Sequence, residues 1–199
     1  MIISFIFINS MEEFKNALAK AQEVLTSGGV ILYPTETVWG LGCDATNPDA
    51  IQRIFKIKNR ADSKSLICLV SSIAMLERHV QEVPQAAYDI IDFSEKPTTI
   101  IYDAPKGVAP SVIAEDDSLG IRVAKDKFCR YLINNFKKPF VSTSANISGA
   151  PTPKQFEEID EKILTAVDYI VPLQPEFNNT SASTIIKLKN NGEVRVIRS

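Results

Sequence analysis

Apolar residues recur at alternating spacings of three and four through Met11, Phe14, Leu18, Ala21 and Leu25. That period places them on one stripe of a helix. Ser10-Met11-Glu12-Glu13 reads as a capping box at its start, and Gly28-Gly29 ends it. Ahead of it, residues 1–8 are almost wholly apolar and read as a buried first strand. Short apolar runs at 30–33 and 66–70 predict two more. Between them, Asn47-Pro48 supplies a cap and a first-turn proline for a helix that buries Ile51, Ile54 and Phe55 and ends in a basic tail. Residues 72–79 and 84–93 read as helices, and 99–102 and 120–123 as strands. Asp126 caps a helix with Phe128, Leu132, Ile133 and Phe136 on one face, and 139–142 is again a strand. Runs at 183–188 and 193–197 flank Lys189-Asn190-Asn191-Gly192, whose Asn-Gly pair predicts a hairpin. Early alternation of strands and helices, followed by a hairpin, predicts an α/β domain with a mixed sheet.

Composition acts mainly by exclusion. The 199 residues suit one domain spanning 1–199, and 45% hydrophobic content suffices for a core without staples. Lys+Arg 22 against Asp+Glu 24 leaves a net charge of −2, which argues against nonspecific coating of nucleic acid but leaves room for a local basic cleft. The one histidine, His79, excludes metal sites that need two from one chain, and in its polar helix end it reads as a surface residue. Cys43, Cys68 and Cys129 form no C-x-x-C and read as buried free thiols in a reducing compartment. Glu12 and Glu13 soon follow the apolar N-terminus and no basic region precedes it, so it does not read as a signal peptide. No apolar run is long enough to span a bilayer, and the expected location is cytoplasmic.

Three polar segments interrupt the apolar pattern. Tyr33-Pro34-Thr35-Glu36-Thr37-Val38-Trp39-Gly40-Leu41-Gly42 directly follows a strand, and its hydroxyls and glycines could floor a pocket as readily as form an ordinary turn with a buried Trp. Lys56-Ile57-Lys58-Asn59-Arg60, with Lys64 beyond, ends a helix. Its plainer reading is a solvated basic cap favoured by the macrodipole; its functional reading is an anion clamp. As surface cations, Lys58 and Arg60 are expected to be removable without unfolding the domain. Val141-Ser142-Thr143-Ser144-Ala145-Asn146-Ile147-Ser148-Gly149 crowds small donors at a strand end, where α/β sheets commonly bind ligands.

Together these segments resemble the YrdC-like family, the threonylcarbamoyl-AMP synthases. The family pattern Y-P-T-(D/E)-T-x-(Y/W)-G-L stands at residues 33–41, the K-x-R pair at Lys58 and Arg60, and the S-x-N pair at Ser144 and Asn146. Residues 118–123, 183–186 and 196–198 are further family-like pieces, so the resemblance runs from about the first strand to the last residue. On that resemblance, the extra C-terminal domain of longer members is not expected here. One element departs: the W-P-G-P-x-T type loop is represented by Phe93-Ser94-Glu95-Lys96-Pro97-Thr98-Thr99, which keeps only the P-x-T and adds the charge of Glu95.

The resemblance implies a single domain with a twisted mixed parallel/antiparallel sheet, flanking helices and a basic concave cleft. It implies that threonine takes up bicarbonate or CO2, and that the new carboxylate attacks the α-phosphorus of ATP with loss of pyrophosphate. It assigns Lys58, Arg60, Ser144 and Asn146 to catalysis and Thr35, Arg122, Ser142 and Ser183 to threonine. Lys58, Arg60, Lys64, Ser118, Ser144, Asn146, Lys154 and Arg198 are assigned to the nucleotide. Mg²⁺ travels with ATP, with no protein metal cage. The implied partner is a downstream tRNA-modifying threonylcarbamoyl transferase complex. Two alternatives stand beside this: a YrdC-like protein that binds tRNA or double-stranded RNA without synthase activity, and a related carbamoyl-adenylate-forming activity.

Overall fold

The structure, a computed structural model, describes residues 11–59, 66–173 and 182–199. The expected strand at 1–8 and the Ser10 cap lie outside them.

Helix α1 (Met11–Thr26) buries Ala17, Leu18, Ala21 and Leu25, whereas Met11 in its first turn is exposed. Strands β1 (Ile31–Pro34) and β2 (Trp39–Asp44) form an antiparallel pair. The second half of the first polar segment is thus a strand rather than a loop. All six of its residues are buried, so no alternation marks it, and its two glycines disguise it further. Helix α2 (Pro48–Ile57) starts where Asn47 accepts from the amides of Asp49 and Ala50. Then come β3 (Ile67–Val70), α3 (Ile73–His79), α4 (Gln85–Phe93), β4 (Thr98–Asp103) and β5 (Ser118–Val123). Helix α5 (Lys127–Phe136) is capped by Asp126, whose carboxylate accepts from the Cys129 amide at 2.7 Å. Strand β6 (Phe140–Ser144), helix α6 (Glu161–Ala166) and strands β7 (Tyr169–Ile170), β8 (Thr184–Leu188) and β9 (Val194–Arg198) complete the described elements.

The nine described strands form one mixed sheet in the order β7-β1-β2-β6-β3-β5-β4-β8-β9. Pairs β1/β7, β3/β5 and β4/β8 are parallel, and the rest antiparallel. Strand β6 is inserted between β2 and β3, which brings the third polar segment beside the first. The β8–β9 hairpin forms as expected, with a longer loop. Gly192 donates to the Lys189 carbonyl and Lys189 to the Glu193 carbonyl, and neither asparagine has positive φ. This is a three-residue loop with Gly192 left-handed at φ +85°, rather than a two-residue turn.

Helices α1 and α5 pack together against one sheet face, where the Phe128 and Tyr33 rings lie 6.3 Å apart and Tyr33 and Phe140 lie 5.2 Å apart. His79 lies at the surface, half-buried against Gly107, its Nδ1 3.1 Å from the Lys106 carbonyl. The acidic residues at 157–161 are exposed as expected, but they span a 3₁₀ turn and the start of α6 rather than one helix face.

Gly42 is required by close approach. A β-carbon there would lie 2.1 Å from Phe140 Cζ and 2.7 Å from the Val141 carbonyl, inside a buried strand. Gly42→Ala is therefore expected to destabilise the domain by about 1–3 kcal/mol or more through overpacking, read as a lower urea midpoint at unchanged m-value.

Candidate active site

Register places Gly42, Ser142, Ile67 and Gly120 in one row across β2, β6, β3 and β5. Side chains alternate along each strand, so Gly40, Ser144 and Arg122 share that face. Beyond the part covered by α5, this face opens into a cavity of about 240 Å³. Its wall includes Thr35, Thr37, Arg122, Ser142, Ser144, Ser183 and Arg198. The wall is rich in hydroxyls, and its two cations, Arg122 and Arg198, come from β5 and β9. The volume lies below the ~300–1,000 Å³ of pockets for drug-sized ligands, which suits an amino-acid-sized molecule inside and a larger partner reaching out.

Arg122 is only 4% exposed. Its Nε lies 3.5 Å from Glu36 Oε1, and burial raises the Glu36 carboxyl pKa above its ordinary value despite the opposing pull of Arg122. Thr35 folds its own segment: its Oγ1 accepts from the amides of Thr37 and Val38 and donates to the Val38 carbonyl. The hydroxyl is thus spent on the turn that aims Glu36 and Thr37. Ser142 Oγ accepts from the Tyr33 phenol at 2.6 Å. Burial first of all holds that phenol well above its usual pKa, so it remains a donor, and the Ser142 proton is left for another acceptor. Ser183 Oγ lies 3.1 Å from Thr99 Oγ1, and the Ser183 carbonyl accepts from Arg198 Nε and Nη2 at 3.0 and 2.8 Å.

Arg198 reaches this face through a bulge. Val196 pairs with Ile186 but Arg198 pairs with Ile185, so one extra β9 residue stands opposite β8 there. Without it, alternation would put Ile197 in the place of Arg198. Desolvation, and then the charge of Arg122, lower the Arg198 pKa.

Lys58 is 2% exposed, which corrects its reading as a surface cation. Its ammonium donates to the Ser144 carbonyl and, at 2.7 Å, to the Asn146 carbonyl. Ser144 Oγ donates to Asn146 Oδ1, and Asn146 Nδ2 donates to the carbonyls of Ile147 and Ala150. Lys58 and the S-x-N segment are therefore physically joined. Arg60 and Lys64 lie outside the described residues. Ser118 sits four residues back along β5, outside the cavity wall, and its hydroxyl donates to Asp116, which pairs with Lys187. Lys154 is exposed, two residues from the wall residue Thr152. Glu95 is exposed and not on the wall. Cys43 and Cys68 are buried in the core, the Cys68 thiol pushed up to about 12 by burial.

In the sequence Thr37 and Thr143 stand only as members of hydroxyl-rich segments, and nothing there gives a role to Thr152 on the wall or to Glu36 behind it. The first motif contains Tyr33, Glu36 and Thr37, but nothing in a sequence says which of its residues face the ligand and which brace those that do.

The Sua5/YciO/YrdC family model, described as "Telomere recombination", matches residues 23–199. A threonylcarbamoyl-AMP synthase of Pseudoalteromonas translucida is 35% identical over 183 residues, covering 90% of this chain and 97% of the relative. One from Vibrio parahaemolyticus is 35% identical over 156 residues, covering 77% and 82%. The crystal structure of P. abyssi Sua5 complexed with L-threonine superposes with a TM-score of 0.81 at 28% identity, covering 90% of this chain and 52% of that one. The chain thus spans about half the length of that protein.

Because Lys58 is a buried strap, Lys58→Ala is expected to lower stability by about 1–3 kcal/mol, leaving buried carbonyls short of a donor. Chemical denaturation checks this; an unchanged midpoint would return Lys58 to the surface class.

Proposed function

The chain belongs to the Sua5/YciO/YrdC family, and on that premise we propose that its cavity is the active site of a threonylcarbamoyl-AMP synthase, a nucleotidyltransferase. The observation that carries the reading is the placing of two arginines, Arg122 and Arg198, with Ser142, Ser144 and Ser183 around one amino-acid-sized space. The threonine α-carboxylate takes the buried Arg122 guanidinium, whose planar fork matches it. Ser142 donates the hydrogen that Tyr33 leaves unused, and Ser183 completes the pocket. Thr35 contributes by folding the 35–38 turn.

The threonine amine adds to CO2 and loses a proton, giving a carbamate. A carbamate oxygen then bonds to the α-phosphorus of ATP, and the bond to the bridging oxygen breaks as pyrophosphate leaves. The products are threonylcarbamoyl-AMP and pyrophosphate. Aligning two anions and neutralising the phosphoryl group can supply most of the acceleration. The nucleotide lies along the S-x-N loop, which Lys58 fixes, with Ser144, Asn146 and the rim cation Arg198 nearest. Arg60 and Lys64 are assigned to its phosphates, and Ser118 and Lys154 to its outer reach.

Among the described residues no three of His, Cys, Asp and Glu gather as metal ligands, and the wall oxygens are hydroxyls. This donor set fits Mg²⁺ brought in on ATP with most of its waters, where it offsets phosphate charge. No described helix is long and apolar enough to cross a membrane. Three free, buried cysteines suit a reducing cytoplasm. The product is an activated carbamate, passed on to a threonylcarbamoyl transferase that modifies tRNA.

Pyrophosphate release from MgATP tests the reading. It is expected to require both L-threonine and bicarbonate. Release indifferent to threonine would reject it, and release supported instead by carbamoyl phosphate would identify the carbamoyl-adenylate activity.

A further inference from the structure

We infer that Glu36 is a positioning residue for the substrate carboxylate: it holds Arg122 by its Nε edge, so that the outer Nη pair is presented to the cavity. This rests on the reading of the cavity as the threonine site.

Three observations carry it. Glu36 Oε1 and Arg122 Nε are buried 3.5 Å apart, and neither atom makes a hydrogen bond, so each is the other's nearest charge complement. Arg122 is on the cavity wall and Glu36 is not, so the carboxylate stands behind the guanidinium rather than beside the ligand. The turn that carries Glu36 is fixed by the bonds of Thr35 Oγ1 to the Thr37 and Val38 amides and the Val38 carbonyl, so the backbone from which the carboxylate projects is set. A guanidinium has one N–H on Nε and four on its Nη atoms, and the Nη pair offers two parallel donors to a carboxylate. With Nε turned to Glu36, that pair is the free edge. Glu36 also offsets part of the repulsion between Arg122 and Arg198, which would otherwise splay the two cations.

The groups facing Glu36 are Arg122 from β5, Lys125 and Asp126 from the connection into α5, and Cys129 from α5. Burial, with Asp126 pushing the same way, raises its carboxyl pKa, while Arg122 and Lys125 oppose. As pH falls through that raised value, Glu36 gains a proton and Arg122 loses its partner. A carboxyl whose folded pKa lies above its unfolded value binds protons better in the native state. Its protonation therefore stabilises the fold as pH falls, and lost affinity in this window is not unfolding by this group.

The experiment is calorimetric titration of L-threonine, and separately of a nonhydrolysable ATP analogue, into the wild-type chain and Glu36→Gln. At pH 7.5 the variant is expected to bind threonine at least about tenfold more weakly, with analogue affinity within about twofold. Wild-type threonine affinity is expected to fall as pH drops through the Glu36 titration, and the variant's affinity to stay flat. Equal threonine affinity in both proteins would overturn the inference while leaving the synthase reading intact. Parallel loss of both ligands with a lower melting temperature would also overturn it, as would a flat wild-type pH profile. A wild-type chain that binds no threonine would remove both. If the variant does not fold, the wild-type pH profile decides alone.

Discussion

A buried ammonium without partners is among the least tolerable groups in a folded protein, and the site is organised around satisfying one. Lys58 stands at the C-terminal end of α2 and reaches the carbonyls of Ser144 and Asn146, 86 and 88 residues away. The Ser148 amide donates to the Lys58 carbonyl at 2.7 Å, so the contact is made in both directions. This fixes the end of α2 against the end of β6. Because β6 pairs with β2, whose start follows the turn at 35–38, the S-x-N segment that Lys58 holds lies on the same side of the sheet as that turn. The 35–38 turn and the start of the S-x-N segment share one wall, with Lys58 bracing it from behind.

That wall works through preorganisation. The Tyr33 phenol is kept neutral and donating, which commits the Ser142 proton to the cavity. Ser144 and Asn146 are tied to each other and to the backbone that follows them. Arg198 is pinned by the Ser183 carbonyl. Groups already oriented need little reorganisation when charge develops on a phosphoryl oxygen, and in a partly desolvated cavity each is worth more than in water. A reaction between two bound anions needs this kind of site: cations and donors held apart until the substrates arrive, with no side-chain nucleophile.

Most of the elements were legible in the sequence. The Asn47-Pro48 and Asp126 caps, the helical stripe at 14–25 and the two-strand pattern at the end are local signals, and local hydrogen bonds produce them. Strand β2 was not legible, because a strand buried on both faces and relieved by glycine shows no alternation. The placement of Arg198 was hidden for a different reason: it depends on a bulge, which changes pairing across strands without leaving a trace in composition. The burial of Lys58 was misread because a lysine at a helix C-terminus looks the same whether the carbonyls it meets are water-facing or 86 residues away. The motif residues themselves were visible as clusters of donors. Their division into those that face the ligand and those that brace them, such as Tyr33 and Glu36, is a property of packing alone.

In the proposed function, the cavity recognises an amino-acid carboxylate through Arg122. The decisive measurement is a calorimetric comparison of L-threonine with L-threonine amide, in which a neutral NH2 replaces one carboxylate oxygen. Binding of threonine with at least about a hundredfold loss for the amide is expected, since the amide removes the negative charge that meets the Nη edge of a buried guanidinium. Equal affinity for the two, or binding of neither, would contradict the account.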